Sequence, residues 1–122
     1  SMMCPTIVTH NDKPLVALGS GGSNRIRTAL LQVLVRHLLG GASLEEAVNA
    51  PRIHFEGGET TVEKRTAHAD LSNETLAALE EMAGELKVFE KPNIFFGGVH
   101  AAGLNGECVG DQRRGGISTL VE

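Results

Sequence analysis

The chain is predicted to turn sharply at Gly19-Ser20-Gly21-Gly22-Ser23-Asn24, between an apolar strand and an amphipathic helix. Glycine adopts positive φ and lets a ligand approach the backbone closely. The start of the following helix leaves N–H groups unpaired, with a dipole that favours negative charge. The turn therefore indicates either a backbone anion site of the oxyanion type or a tight connection that binds nothing.

Two apolar strands are predicted before this turn. Residues 6–9 and residues 15–18 flank a polar segment at 10–14 that ends in Pro14, which is the pattern of a β-hairpin. Both strands are apolar at successive positions, so the hairpin is predicted to be buried on both faces.

A long helix is predicted after the turn, over residues 25–39. Apolar residues recur there at helical spacing: Ile26, Ala29, Leu30, Val33, Leu34 and Leu38. Ser23 or Asn24 is placed to cap its first turn, and the glycines at 40 and 41 are placed to end it. Because the helix has one apolar stripe, it is expected to cover a sheet face.

Two shorter helices are predicted downstream. Ser43 and Glu46 form the pattern of a capping box, and Pro51 ends that helix. The other helix begins at Ser72 and ends at Gly84, and its buried stripe is expected to comprise Leu76, Leu79 and Met82 or Ala83.

The remaining apolar segments are predicted as strands: residues 61–63, 86–89, 98–104, 107–109 and 117–121. Asn105-Gly106 is the tight turn of a hairpin, and residues 111–116 are predicted as a polar loop. Antiparallel hairpins covered by helices predict an α+β fold.

Composition argues against several classes of protein. The 122 residues carry a net charge of −4 and include four Phe but no Trp or Tyr, which argues against a nucleic-acid partner. No segment reaches the roughly 18 apolar residues of a membrane span. No signal peptide is recognised in the sequence, and no localisation is predicted. Cys4 and Cys108 lie far apart in sequence, and free thiols are favoured over a disulfide between them. Neither these cysteines nor the histidines have metal-ligand spacing, and no metal or cofactor is predicted.

Few other side chains form a chemical pattern. The glycine turn lacks the Lys of a P-loop and the third glycine of a dinucleotide fingerprint. Asp111, Arg113 and Arg114 either clamp a carboxylate, form an internal ion pair or lie in a solvated loop. Arg52 and His54 could line a cleft, but no nucleophile with its base is recognised.

Four segments together resemble the γ-glutamyltranspeptidase family. Residues 1–8 are similar to its Ser-Ser-Met-x-Pro-Thr-Ile segment, and residues 19–26 to its Gly-Ser-Pro-Gly-Gly-Ser-Arg-Ile turn. Residues 49–54 resemble its Ala-Pro-Arg-x-His segment, and residues 110–115 resemble its Asp-Pro-Arg ending, with Gln112 in place of Pro. The four segments occur in order along the whole chain.

The resemblance implies part of the αββα sandwich of N-terminal nucleophile hydrolases, with two stacked sheets between helix layers. In this family a proenzyme cuts itself, and the new N-terminal Thr of the small subunit attacks a γ-glutamyl amide such as glutathione. Residues 1–122 are then the C-terminal portion of the small subunit, and the Thr lies upstream of Ser1. The expected partners are the substrate, the large subunit and the rest of the small subunit.

The resemblance also assigns site residues. Without a gap, Gly22 and Ser23 match the oxyanion glycine pair of the family; with a shift of one residue, Gly21 and Gly22 match it. Ser1 matches the first of two substrate-binding serines, provided that Ser1-Met2 is native and not a cloning scar.

Two alternatives stay open: a related N-terminal nucleophile acylase of the cephalosporin acylase kind, and a non-catalytic assembly module. The isolated chain is expected to be inactive, because the nucleophile belongs to a segment outside it. It is also expected to self-associate through strand edges that have lost their neighbours.

Overall fold

The computed structural model describes residues 3–121 and has two separate β-sheets. In chain order the elements are β1 (Thr6–His10), β2 (Lys13–Gly21), α1 (Ile26–Leu34), α2 (Leu44–Asn49), β3 (Ile53–Glu56), β4 (Glu59–Glu63), α3 (Asn73–Ala83), β5 (Leu86–Phe89), β6 (Gly98–Gly103) and β7 (Cys108–Val109). One sheet has the strand order β1-β2-β6-β7 and the other the order β3-β4-β5. The α+β prediction is confirmed.

The predicted hairpin of β1 and β2 is confirmed, but only one of its faces is buried. Val16 and Leu18 of β2 are buried. Ile7 of β1 is 68% exposed and pairs with the exposed Ala17. Side chains alternate between the two faces of a strand, and the described helices cover one face of this sheet. The prediction of burial on both faces was therefore wrong.

The core lies between the four-stranded sheet and the helices α1 and α2. Val33 of α1 and Leu44 and Val48 of α2 are fully buried, and they belong to the same apolar cluster as Val99 of β6. This packing fixes where β2 ends and α1 begins, because both elements contribute to the same cluster.

The helix after the turn is confirmed with two differences in detail. It begins with a 3₁₀ turn at Ser23–Arg25, continues as α1, and ends in a π-helical turn at Val35–Leu39. No side chain caps its start, so the cap predicted at Ser23 or Asn24 was wrong. The chain leaves the helix through Gly41, whose φ is 75°.

The capping box of α2 is confirmed in both directions. The backbone N–H of Glu46 donates to Ser43 Oγ at 3.1 Å, and the backbone N–H of Ser43 donates to Glu46 Oε1 at 3.3 Å. The helix ends at Asn49, before Pro51, as predicted.

The three-stranded sheet is mixed rather than purely antiparallel. β3 and β4 form a hairpin across Gly57 and Gly58, which both have positive φ. β5 runs parallel to β4 after a crossover through α3. β3 was not predicted, because its four residues give too few alternations to show a period of two.

The bounds of α3 are close to the prediction, but its burial is not. Ser72 Oγ accepts from the backbone N–H of Thr75 at 3.1 Å, and the helix ends at Gly84. None of its residues is fully buried, and Met82 is 86% exposed. The predicted stripe is found at Leu76, Leu79 and Ala83, but these side chains are half-buried rather than buried.

The C-terminal part departs most from the prediction. β6 and β7 form the predicted hairpin, with φ of 74° at Gly106. Residues 111–116 are not simply a polar loop, because Asp111 is fully buried and a 3₁₀ turn spans Gln112–Arg114. Residues 117–121 do not form the predicted strand, and Ile117 is 88% exposed.

Candidate functional site

The predicted oxyanion turn lies where β2 ends and the helix begins. Gly21 is the last residue of β2 and pairs with Gly98 of β6. The backbone then takes positive φ at Gly22 (127°) and at Ser23 (56°). Within residues 3–121, the backbone N–H groups of Gly22 and Ser23 donate to no acceptor. The turn therefore presents two unpaired donors at a helix start.

A second glycine pair, Gly97 and Gly98, packs against this turn. A Cβ on Gly22 would lie 2.9 Å from the Cα of Gly97, and a Cβ on Gly97 would lie 2.9 Å from the carbonyl oxygen of Gly21. The Ser20 hydroxyl joins the two segments, since it donates to Gly21 O at 2.7 Å and accepts from Gly98 N–H at 3.2 Å. This second pair was not predicted, because it precedes a strand and does not lie between a strand and a helix as the turn does.

Two side chains hold the helical side of the turn. The Arg25 Nε–H donates to Phe95 O at 3.0 Å, and the guanidinium lies 4.4 Å from the centre of the Phe95 ring. The Asn24 amide donates to Glu56 Oε1 at 2.8 Å, and Glu56 Oε2 lies 3.1 Å from His54 Nε2. The hydrogen bonds from His54 and Asn24 lower the pKa of the Glu56 carboxyl below its ordinary value.

His54 does not line a cleft, contrary to one prediction. Its ring is 3% exposed and connects Glu56 to the first turn of α1, where Nδ1 lies 2.7 Å from Thr28 Oγ1. The ring therefore ties β3 to the helix that follows the glycine turn.

Behind the C-terminal 3₁₀ turn lies a buried network of four charged side chains: Arg52, Glu63, Asp111 and Arg113. Asp111 Oδ2 accepts from Arg52 Nη2 at 2.7 Å. Arg113 binds both oxygens of Glu63, through Nη2 at 2.7 Å and through Nε at 2.8 Å. Two guanidinium groups and two carboxylates balance in charge, which is the condition for burying them. The internal ion pair, one of three interpretations of the Asp111 cluster, is confirmed.

Burial and charge act against each other in this network. Burial dominates for Arg52 and lowers its pKa to about 10. Burial raises the pKa of Asp111, but Arg52 and Arg113 outweigh it, and the net shift is downward. Burial lowers the pKa of Arg113, but the hydrogen bonds and negative charges of Glu63 and Asp111 together outweigh it, and the net shift is upward. These directions keep Arg52, Asp111 and Arg113 ionised at neutral pH.

The third member of the predicted cluster, Arg114, does not join the network. Its guanidinium lies across the outward side of the glycine turn, where a Cβ on Gly21 would be 3.2 Å from Arg114 Cζ. The structure thus brings Gly21, Gly22, Ser23 and Arg114 together. Ser1, the predicted substrate ligand, lies outside the described residues.

Three further findings concern the cysteines, metal ligands and membrane-spanning helices. Cys4 and Cys108 are free thiols, as predicted. Among residues 3–121, no cluster of His, Cys, Asp and Glu side chains could hold a metal ion. No helix in the described part of the chain is long and apolar enough to cross a membrane.

Known proteins match this chain in sequence and in structure. A sequence model of the family Gamma-glutamyltranspeptidase matches residues 1–120. The glutathione hydrolase proenzyme of Escherichia coli (strain K12) is 40% identical over 82 residues, which are 66% of this chain and 13% of that proenzyme. The γ-glutamyltranspeptidase from Pseudomonas nitroreducens complexed with L-DON has a TM-score of 0.78 at 29% identity, over 100% of this chain and 63% of that chain.

A more distant protein shares the fold alone. The cephalosporin acylase from Bacillus halodurans has a TM-score of 0.79 at 20% identity, over 97% of this chain and 22% of that chain. These matches confirm the predicted N-terminal nucleophile hydrolase fold. Since the family match covers residues 1–120 and includes the glycine turn, the chain belongs to the γ-glutamyltranspeptidase family.

Proposed function

We propose that the protein containing these residues hydrolyses and transfers γ-glutamyl groups of glutathione and related γ-glutamyl amides. The observation that carries the proposal is the pair of unpaired N–H donors at Gly22 and Ser23, where the family resemblance expects the oxyanion turn. The names of the relatives, glutathione hydrolase and γ-glutamyltranspeptidase, support the same chemistry. The matched residues are 13% of the E. coli proenzyme, so the proposal concerns the whole protein.

In the proposed reaction, a Thr from outside residues 1–122 attacks the γ-carbonyl carbon, and the α-amino group of that Thr takes its hydroxyl proton and later passes it to the leaving amine. A C–O bond forms, and the carbonyl π electrons move to the oxygen, which becomes an oxyanion. When the oxyanion collapses, the C–N bond breaks and the amine leaves with a proton, giving an acyl-enzyme. Water or an amino acid then attacks the ester and takes the glutamyl group.

The part of this chain in the reaction is to stabilise the oxyanion. Backbone N–H donors that are fixed before the reaction need no reorganisation when charge develops. Of the two alignments, we favour Gly22 and Ser23 as the donors. Gly21 still belongs to β2, opposite Gly98, whereas the next two residues have left the sheet.

We further propose that residues 1–122 are the C-terminal portion of the small subunit, and that other parts of the enzyme pack on the open face of the four-stranded sheet. That face carries an apolar trough of about 680 Å³, lined by residues that include Pro5, Ile7 and Ala17. An exposed apolar surface of this kind typically marks an interface. The rest of the small subunit and the large subunit are the proposed occupants.

The proposed role of the turn is tested with Gly22→Ala in the full-length protein. The alanine Cβ would lie 2.9 Å from Gly97 Cα at a φ of 127°, so the turn must shift and misplace its donors. We expect kcat on a chromogenic γ-glutamyl anilide to fall about 10²–10³-fold.

Gly41→Ala is the matched control, because Gly41 also has positive φ but a Cβ on it would meet no atom within 4 Å. We expect its kcat to stay within about twofold of the wild type, as it lies at the other end of the helix. Wild-type kcat in Gly22→Ala would refute the role of the turn. Turnover by the 122-residue chain alone would refute the assignment of the nucleophile to another segment.

An acylase of the cephalosporin type is the second candidate, because that enzyme shares the fold. The two candidates differ in the acyl group that they accept, not in the oxyanion turn. Parallel assays with a γ-glutamyl anilide and an N-acylated cephalosporin separate them. Faster cleavage of the cephalosporin would replace the proposed substrate class.

A further inference from the structure

Arg114 occupies the space that side chains on the turn would otherwise fill. A Cβ on Gly21 would lie 3.3 Å from its Nε and Nη1, and a Cβ on Gly22 would lie 3.8 Å from its Nη2. A Cβ on Gly98 would lie 2.6 Å from its Cγ. The aliphatic part of the side chain thus rests on β6, and the guanidinium rests on the turn itself.

The positive charge of the Arg114 guanidinium is not balanced by a carboxylate within the described structure. Arg52 and Arg113 have buried carboxylate partners, whereas Arg114 makes no ion pair and no side-chain hydrogen bond within residues 3–121. The trough that it borders has no Asp or Glu among its lining residues. No acidic side chain among residues 3–121 therefore competes with a negatively charged ligand for this guanidinium.

The backbone of Arg114 is fixed from behind by the buried network. Its N–H donates to Asp111 O at 3.2 Å, and Asp111 Oδ1 accepts from the backbone N–H of Arg113 at 2.9 Å. The Asp111 carboxylate also accepts from Val99 N–H in β6 at 2.8 Å. The side chain therefore starts from an anchored 3₁₀ turn.

We propose that Arg114 binds the α-carboxylate of the leaving amino acid in a γ-glutamyl amino acid, and that of the amino acid that accepts the glutamyl group. In glutathione the leaving cysteine has a peptide bond at that position, so there the site acts on the accepting amino acid. This proposal rests on the proposed function of the turn. A guanidinium binds a carboxylate through two parallel hydrogen bonds. The α-carboxylate of an amino acid lies two bonds from its nitrogen, which is close enough to reach a guanidinium in contact with the turn. The α-carboxylate of the γ-glutamyl group lies further along its chain, on the other side of the carbonyl carbon.

The test compares two substrates in the full-length protein: γ-glutamyl-alanine and γ-glutamyl-alaninamide, which differ only in the carboxylate. Arg114→Gln is expected to lower kcat/KM for γ-glutamyl-alanine about tenfold or more, because a hydrogen bond to a charged group is lost. For γ-glutamyl-alaninamide, kcat/KM should change less than about twofold. Arg114→Lys should recover part of the loss, since lysine restores the charge but not the paired geometry.

Arg27→Gln is the matched control, because Arg27 is an exposed arginine on α1. It should leave both substrates unaffected. Equal loss on the two substrates in Arg114→Gln, or no loss on either, would overturn the proposal.

A binding measurement separates this proposal from the proposed function. If the wild type cleaves neither substrate, the proposed function fails, and Arg114 is then tested in the full-length protein by NMR. N-acetylalanine is expected to shift the Arg114 Nε–H resonance, and N-acetylalaninamide is not. Identical responses to the two probes would overturn the carboxylate site independently of catalysis.

Discussion

The Asp111 side chain connects three parts of the chain through one carboxylate. Its carboxylate accepts from Arg52, from the backbone of Val99 and from the backbone of Arg113, and it is fully buried. Removing the charge would leave Arg52 buried beside Arg113 with one carboxylate fewer. A buried ion pair adds little net stability, because the cost of desolvating both charges offsets their attraction. Removing one of the two partners is costly, because the other charge then stays buried without compensation.

We expect Asp111→Asn to lower the free energy of unfolding by about 3–5 kcal/mol at neutral pH, because an uncompensated buried charge remains. Urea denaturation measures the change. Asp70→Asn is the control, since Asp70 is an exposed partner of Lys64 and Arg65, and its loss should have little effect. A similar small change in both variants would show that the network does not stabilise the fold.

The Asp111 carboxylate also makes the stability of the fold depend on pH in the acid range. The folded protein lowers the pKa of Asp111, so the unfolded chain takes up the proton first as pH falls. The stability from this carboxylate is therefore complete above the ordinary Asp pKa of about 3.9, and it is lost below that value as pH approaches the folded pKa. The difference between the wild type and Asp111→Asn should shrink over that range.

At the residue scale, the sequence predicted local backbone features but not long-range partners. The positive φ at Gly22 follows from a glycine pair between a strand and a helix. By contrast, Glu63 and Arg113 are 50 positions apart, and the local sequence around either residue does not predict the contact between them. The contact of Arg114 with the turn is equally non-local.

At the scale of elements, the caps of α2 and α3 were predicted from local sequence, whereas the burial of these helices was not. α2 and α3 both begin with a capping serine, at Ser43 and Ser72. Each cap was predicted from sequence, because it needs only residues within one turn. Burial was not, because it depends on what the rest of the chain places against the helix. α2 has three buried residues and α3 has none.

This difference predicts unequal effects of the same substitution. Ser43→Ala should lower the free energy of global unfolding by about 1 kcal/mol, because a buried helix loses its cap. Ser72→Ala should mainly increase local opening of α3, with a smaller global effect, because α3 has few buried contacts. Urea denaturation and amide hydrogen exchange report the two effects. Equal global losses would mean that α3 unfolds only with the core.

The strands show which sheet features need the whole chain. Residues 6–18 and 98–109 were predicted as hairpins because their turns are local signals. The parallel pairing of β4 with β5 was missed, since it joins segments on either side of α3. Residues 117–121 are apolar enough for a strand, but a strand forms only beside a neighbour, and the described residues supply none there.

At the scale of the molecule, the open face and edge of the four-stranded sheet have a direct consequence for the isolated chain. β1 is an edge strand, since β2 is its single neighbour in the described sheet. Its Ile7 side chain is 68% exposed beside the apolar trough. An unpaired edge next to an apolar face is a template for another copy of the same chain.

The 122-residue chain is therefore expected to self-associate as its concentration rises, and sedimentation velocity measures this directly. Ile7→Lys should shift the distribution toward monomer, because a charge on the open face opposes its burial and lysine protects strand edges. Met82→Lys is the control: Met82 is 86% exposed, but it lies on α3, away from that sheet. A wild-type chain that stays monomeric at every concentration would contradict the prediction. Equal shifts in the two variants would place the contact elsewhere than the β1 edge.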